Sequence, residues 1–188
     1  VDHLVRSDVA ITSTMTVFEQ RGSGRAPVHP DALASIVEDR RGGVERVSQR
    51  RASGAGDTSG DELLRRGMRM EKIFHDAGGL LVVGTDPTGA GDVVPGYGNL
   101  RALELLVEGG FTFEEAVRIS TLNGATYLER ADDLGTIAAG KRADLVLIQG
   151  DPTTDVSQVN NVITVFKDGI GWDSRALFGS VRGSVGIR

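Results

Sequence analysis

The residues with the clearest chemical potential are Gly84-Thr85-Asp86, which end an apolar run from Leu80 to Val83. That run (LLVV) has no polar alternation, so both its faces should be covered, as in a parallel sheet. A carboxylate just past the C-terminal end of such a strand stands where α/β folds place ligands and catalytic groups. Asp86 could there bind a cation or move a proton. It could equally cap the next turn, and local pattern does not separate the two. The glycines that follow leave room for a substrate to approach the backbone.

The other candidates are the three histidines, and they are unequal. His75 falls in the last turn of a helical pattern, where a cation suits the helix dipole and a structural role is expected. His29 precedes Pro30 in a long connection, a solvated position unless that connection carries it over a site. His3 lies near the first residue, and no two histidines have the spacing of a local metal motif. A phosphate cradle is the rival chemistry. From Gly84 the Walker spacing reaches Gly89, but Ala90 and Gly91 stand where Lys and Ser/Thr are required. Asp86 and Asp92 would also repel a phosphate.

Composition narrows the partners. With 21 basic and 26 acidic side chains the net charge is −5, which does not recommend a nucleic acid. Arg40, Arg41, Arg46, Arg50 and Arg51 make a local basic stretch. Glu38, Asp39 and Glu45 interleave with it, so a solvated helix face is expected. The chain has no cysteine, which excludes disulfides, thiolate zinc sites and cysteine nucleophiles. No apolar run approaches the roughly 18 residues that span a bilayer. The sequence opens Val1-Asp2-His3 without an initiator Met, so a missing N-terminus is expected and the compartment stays open.

The elements that must position Asp86 follow from pattern. Val9 to Thr14 (VAITST) reads as a strand. A long polar connection runs from about Thr16 to Gly60, with a short helix opened by Pro30 and Asp31. Arg51 to Gly60 (RASGAGDTSG) should be a mobile loop. Ser59-Gly-Asp-Glu62 has capping-box spacing, and the helix after it should stop at Gly78-Gly79. A glycine-rich loop spans Pro87 to Gly98. Asn99 is expected to cap a helix closed by Gly109-Gly110, and Thr112-Phe-Glu-Glu115 to open another. Strands alternating with helices predict an α/β fold with parallel strands. After about Leu134 the character changes, with short strands at Ala143–Ile148 and Val162–Phe166 and turns between them.

Val1-Asp2-His3, Gly84-Thr85-Asp86 and Asn99 to Gly110 (NLRALELLVEGG) resemble the amidohydrolase superfamily. So do Ala116 to Leu128 (AVRISTLNGATYL) and Leu134 to Gln149 (LGTIAAGKRADLVLIQ). The likeness runs from residue 1 to about Gly169 and is strongest to the branch of imidazolonepropionases and prolidase-like dipeptidases. Its most specific parts are the Gly-Thr-Asp strand end and the return through Gly140-Lys-Arg-Ala-Asp144.

The resemblance implies the C-terminal part of a (β/α)8 TIM barrel plus strands of a small β-sandwich, a urease-like composite domain. Residues 1–134 would run from the end of strand six to helix eight, and 135–188 would return to the sandwich. Val9–Thr14 would be strand seven and Leu80–Val83 strand eight. His3 and Asp86 would be metal ligands, Asp86 also the catalytic acid/base, with one or two divalent cations, most often zinc. Thr14, Thr88, Gly89 and Tyr97 would contact a small-molecule substrate whose C–N bond (amide, cyclic amide or dipeptide) is hydrolysed. A full barrel takes about 250 residues. The remaining family ligands have no counterpart here, so a fragment inactive alone is expected. An uncovered barrel edge would favour association, including a homo-oligomer. The alternative is a non-catalytic, truncated or decayed homologue that serves as an interaction module.

Overall fold

The computed structural model describes residues 1–54, 58–87 and 93–186. Its centre is a parallel pair of short strands, β1 (Ile11–Ser13) and β2 (Leu81–Val83), with Ile11 opposite Leu81 and Ser13 opposite Val83. Both expected strands form, and they pair in the expected sense. Between them lie helices α2 (Met15–Glu19), α3 (Pro30–Ser35), α4 (Glu38–Ala52) and α5 (Thr58–Asp76). Ahead of β1 is α1 (Asp2–Arg6), and after β2 come α6 (Tyr97–Glu108) and α7 (Phe113–Arg118).

The apolar run of β2 is covered as its composition requires. Leu81 packs in a core with Phe74 of α5, Leu106 of α6, and Phe111, Ala116 and Ile119. Each such side chain taken from water contributes roughly 1.5–3 kcal/mol. A second cluster joins Met15 to Leu64, Met68 and Leu105, tying α2 to α5 and α6. α5 buries Leu64, Met68, Glu71 and Phe74, one face of a 3.6-residue period. It gives way at Gly78, whose φ of +87° suits glycine.

Four expectations need correction. The connection from Thr16 to Gly60 is mostly helical within the described residues, because α4 buries Val44, Ser48 and Arg51. Two of those are polar, so the helix carries no apolar periodicity. Ser48 Oγ accepts from the Val28 N–H at 2.9 Å, and Arg51 donates to the Ala26 carbonyl at 2.7 Å. Arg51 is therefore buried rather than part of a solvated face, whereas Arg40, Arg46 and Arg50 are exposed. Ser59 lies inside the first turn of α5 rather than capping it. α6 begins at Tyr97, after Gly96 at φ +83°, two residues before the expected cap at Asn99. The capping box at Thr112 does form, with Glu115 N–H donating to Thr112 Oγ1 at 3.2 Å and Thr112 N–H to Glu115 Oε2 at 2.9 Å.

A π-helical turn, Ile119–Asn123, links α7 to α8 (Gly124–Tyr127). Asn123 Nδ2 donates to the Leu81 carbonyl at 2.8 Å, on the edge of β2 turned away from β1. The later strands form a three-stranded antiparallel sheet, β3 (Leu145–Ile148), β4 (Val162–Lys167) and β5 (Ile170–Asp173), with β4 central. The motif leading into it acts structurally. At Gly135 (φ +86°) a Cβ would fall 2.8 Å from Ala125 Cβ and Leu122 Cα. Lys141 Nζ donates to the Ala131 carbonyl and to Thr136 Oγ1, both at 2.6 Å. Asp144 accepts from Lys167 Nζ at 2.6 Å and the Asp168 N–H at 2.8 Å.

After β5, α9 (Ser174–Val181) packs against β4, β5 and α3. The tail beyond it then binds the α3 segment as a strand would. Val37 N–H donates to the Val185 carbonyl and Val185 N–H to the Ser35 carbonyl, each at 2.9 Å. Among the described residues no helix is long and apolar enough to cross a membrane.

Candidate functional site

The C-terminal ends of β1 and β2 are clasped together. Gly84 N–H donates to the Ser13 carbonyl at 2.8 Å, extending the parallel pairing by one residue. A Cβ at Gly84 would fall 2.6 Å from Thr12 Cγ2, so glycine is what permits this approach. One residue on, the Thr85 carbonyl accepts from Thr16 Oγ1 at 3.0 Å. Thr14, half-buried, is the residue between β1 and α2. Asp86 follows this clasp directly. It is exposed and holds φ +42°, a left-handed conformation that Asp enters more readily than most residues. Backbone held there at a strand end marks a constrained position of the kind found at functional sites.

A pocket of about 350 Å³ opens beside the clasp. Thr16 lines it from the β1 side and Gly98 from α6, where a Cβ would lie 3.3 Å from Thr85 Cβ. Its outer wall is aromatic. The Tyr97 ring stacks with His29 (centroids 5.7 Å apart, 18° between planes) and with Phe178 of α9 (5.3 Å, 22°). His29 caps α3, its Nδ1 accepting the Asp31 N–H at 3.2 Å, so the ring donor is Nε2–H. The Tyr97 hydroxyl is buried and has no hydrogen-bond partner among the described residues. Burial, and then the charge of Asp31, push its pKa up to about 12, so the phenol stays neutral.

The pocket floor is ionic but closed. Glu19, 1% exposed, accepts from Arg101 at 2.6 Å and from Arg25 at 3.1 Å. Burial alone would raise the Glu19 carboxyl. The Arg101 hydrogen bond and charge, with Arg51 and Arg25, outweigh it and hold the group below its ordinary value. Arg51 also bonds Gln20, Arg101 also pairs with Glu104, and Glu104 accepts from Asn160 at 2.6 Å. Each guanidinium on this floor is thus engaged by the protein. Behind the clasp, Ser13 Oγ donates to buried Glu71 at 3.1 Å. Burial pushes the Glu71 carboxyl up to about 7, the Ser13 bond pulling only weakly the other way.

The residues anticipated from sequence are therefore unevenly gathered. Thr14 and Asp86 border the strand-end clasp, and Tyr97 lines the adjoining pocket. Thr88 and Gly89 lie outside the described residues. His3 sits exposed in α1, a helix whose Leu4 and Val5 pack on the core together with Val1. Among the described residues no group of three or more His, Asp or Glu side chains is placed to hold a metal ion. A hydrolytic zinc site uses three protein ligands and a water, so His3 and Asp86 do not by themselves fit the ion. His29, expected to be solvated unless its connection carried it over a site, lines the pocket, whereas Thr16, Glu19 and Arg101 were not anticipated. These three are single polar residues, and nothing local distinguishes each from a solvated position.

Comparison with known proteins agrees with this frame. Over 106 residues the chain is 32% identical to an imidazolonepropionase of Clostridium tetani, which is 52% of this chain and 24% of that relative. A solved bottromycin amidohydrolase superposes on 92% of the chain with a TM-score of 0.70 at 20% identity. A putative prolidase from Bifidobacterium longum does so with a TM-score of 0.54 at 23% identity. The chain spans 40% and 38% of those two proteins, and at such identities the likeness is one of fold. Residues 28–170 match the model of the amidohydrolase family, whose members are generally metal-dependent hydrolases. The chain belongs to the amidohydrolase family.

Proposed function

We propose that this chain is the C-terminal part of a (β/α)8 metal-dependent amidohydrolase that hydrolyses a C–N bond of an amide, cyclic amide or dipeptide. In this assignment β1 and β2 are strands seven and eight, residues 1–134 belong to the barrel, and 135–188 return to a β-sandwich. The observation that carries it is the position of Asp86, directly past a parallel strand whose end is clasped to its neighbour and walled by a pocket. Asp86 serves as acid/base: its carboxylate takes a proton from the attacking water and delivers it to the leaving nitrogen. His3 and Asp86 contribute two donors toward a divalent cation, with zinc the best match to an imidazole and a carboxylate. The other donors must come from polypeptide beyond this chain. Thr14, Thr88, Gly89 and Tyr97 are assigned to substrate contact.

The donor count favours a second possibility, a non-catalytic homologue that kept the fold and acts as an interaction module. Assay of the complete polypeptide, with zinc supplied, against dipeptides and cyclic amides separates the two. Turnover that vanishes in Asp86→Asn supports the enzyme; a complete polypeptide without turnover or bound zinc supports the module.

A further inference from the structure

The pocket beside the strand-end clasp has a chemical character of its own. Its Glu and Arg side chains are engaged by the protein: Glu19 by Arg101 and Arg25, Arg101 also by Glu104, and Arg51 by Gln20 and the Ala26 carbonyl. What a ligand meets instead is apolar: Pro27, Val28, Val93, Val94 and the Tyr97 ring. Burying a charged ligand group against walls whose countercharges are already paired would cost more than it gains. Among the described residues the Tyr97 hydroxyl, nearly without exposed surface, has no hydrogen-bond partner, an unfavourable state that a ligand atom seated against it would relieve.

The wall is also rigidly held. Tyr97 is stacked with Phe178, which α9 delivers from the far end of the chain. The α3 segment bearing Val28 and His29 is fixed by the tail through Val185. At about 350 Å³ the space lies within the range of small-molecule sites and suits one ring-sized group.

We propose that this pocket selects the substrate by its shape and neutrality. It takes an uncharged, ring-sized apolar group attached to the scissile C–N bond, with Tyr97 as the specificity-determining residue and its hydroxyl bonded to a polar atom of that group. This deepens the amidohydrolase assignment and rests on it for the word substrate, while binding can be tested without turnover.

The test is calorimetric titration of the complete polypeptide that carries this chain with three probes of one shape and different charge: benzamide, benzoate and benzamidine. Benzamide binds, and benzoate and benzamidine bind at least about tenfold more weakly. Tyr97→Phe, which keeps the ring and its stacking, weakens benzamide by roughly fivefold. Absence of benzamide binding, a charged probe binding as well as benzamide, or an unchanged affinity in Tyr97→Phe would each overturn the proposal. Failure of the catalytic assignment appears elsewhere, as full turnover in Asp86→Asn with probe binding intact.

Discussion

Thr16 Oγ1 donates to the Thr85 carbonyl at 3.0 Å, joining the helix after β1 to the residue just before Asp86. Thr16 is 1% exposed, so water does not replace the bond if it is lost. Together with Gly84 N–H on the Ser13 carbonyl, it sets where the β2 backbone leaves the sheet. The backbone that carries Asp86 is thus anchored on the β1 side.

Replacing Thr16 by Val keeps the shape and removes the donor. Stability should fall by about 1–2 kcal/mol, the usual cost of a buried bond whose acceptor is left behind. Urea denaturation of the variant measures it. A change below about 0.5 kcal/mol would mean that the clasp contributes little.

Glu19 is the hub joining the loop at Arg25 to α6 at Arg101. Glu19→Ala leaves buried guanidinium groups without their carboxylate and should cost roughly 3–5 kcal/mol. Arg101→Ala should resemble it, and the double variant should cost less than the sum. Additive losses in that cycle would show that the pair is not coupled.

Buried Glu71 makes stability depend on pH. Its carboxyl is raised to about 7 in the folded chain from an ordinary 4.5, chiefly by burial. The folded state therefore binds the proton more tightly, and the stabilisation is complete below about pH 4.5. It is lost as pH rises toward 7, by roughly 3 kcal/mol in total. Glu71→Gln, neutral throughout and still able to accept from Ser13, should flatten this dependence and be the more stable form at pH 8. Equal stability of the two proteins at pH 8 would contradict it.

Asn123 covers the edge of β2 that β1 leaves open, with Nδ2 on the Leu81 carbonyl at 2.8 Å. Asn123→Ala should cost about 1–3 kcal/mol. Hydrogen exchange should show faster opening of β2, with β4 and β5 unaffected. Uniform loss of protection across the chain would argue against a local role.

The strands and the strand-end aspartate were legible because their signals are local. Leu80–Val83 is apolar without alternation, and the Gly-Thr-Asp that follows ends it in sequence as in space. The Thr112 capping box was legible for the same reason, since its two partners are three residues apart. The buried face of α4 was not, because it uses Ser48 and Arg51, which hydrogen-bond to backbone 20 and 25 residues away. The pocket was equally hidden. It joins Thr16, Tyr97 and Asn160, from three separate segments, with a wall stacked on Phe178. Tyr97 could be anticipated from its place in the glycine-rich loop, and His29 only as a residue that its long connection could carry over a site. The onset of α6 was misplaced by three residues because Gly96 at φ +83° begins the helix without any side-chain cap.

The central claim is that Asp86 moves the proton in C–N bond hydrolysis. Asn is close in size and equally tolerant of the left-handed backbone found there, so Asp86→Asn should leave the fold and the melting temperature unchanged. The decisive measurement is the turnover of this variant against the unaltered protein, in the complete polypeptide that carries this chain with zinc supplied. A loss of about 10²–10⁴-fold with an unchanged circular dichroism spectrum is the predicted result. Turnover within a few-fold of the unaltered protein would contradict the assignment of Asp86.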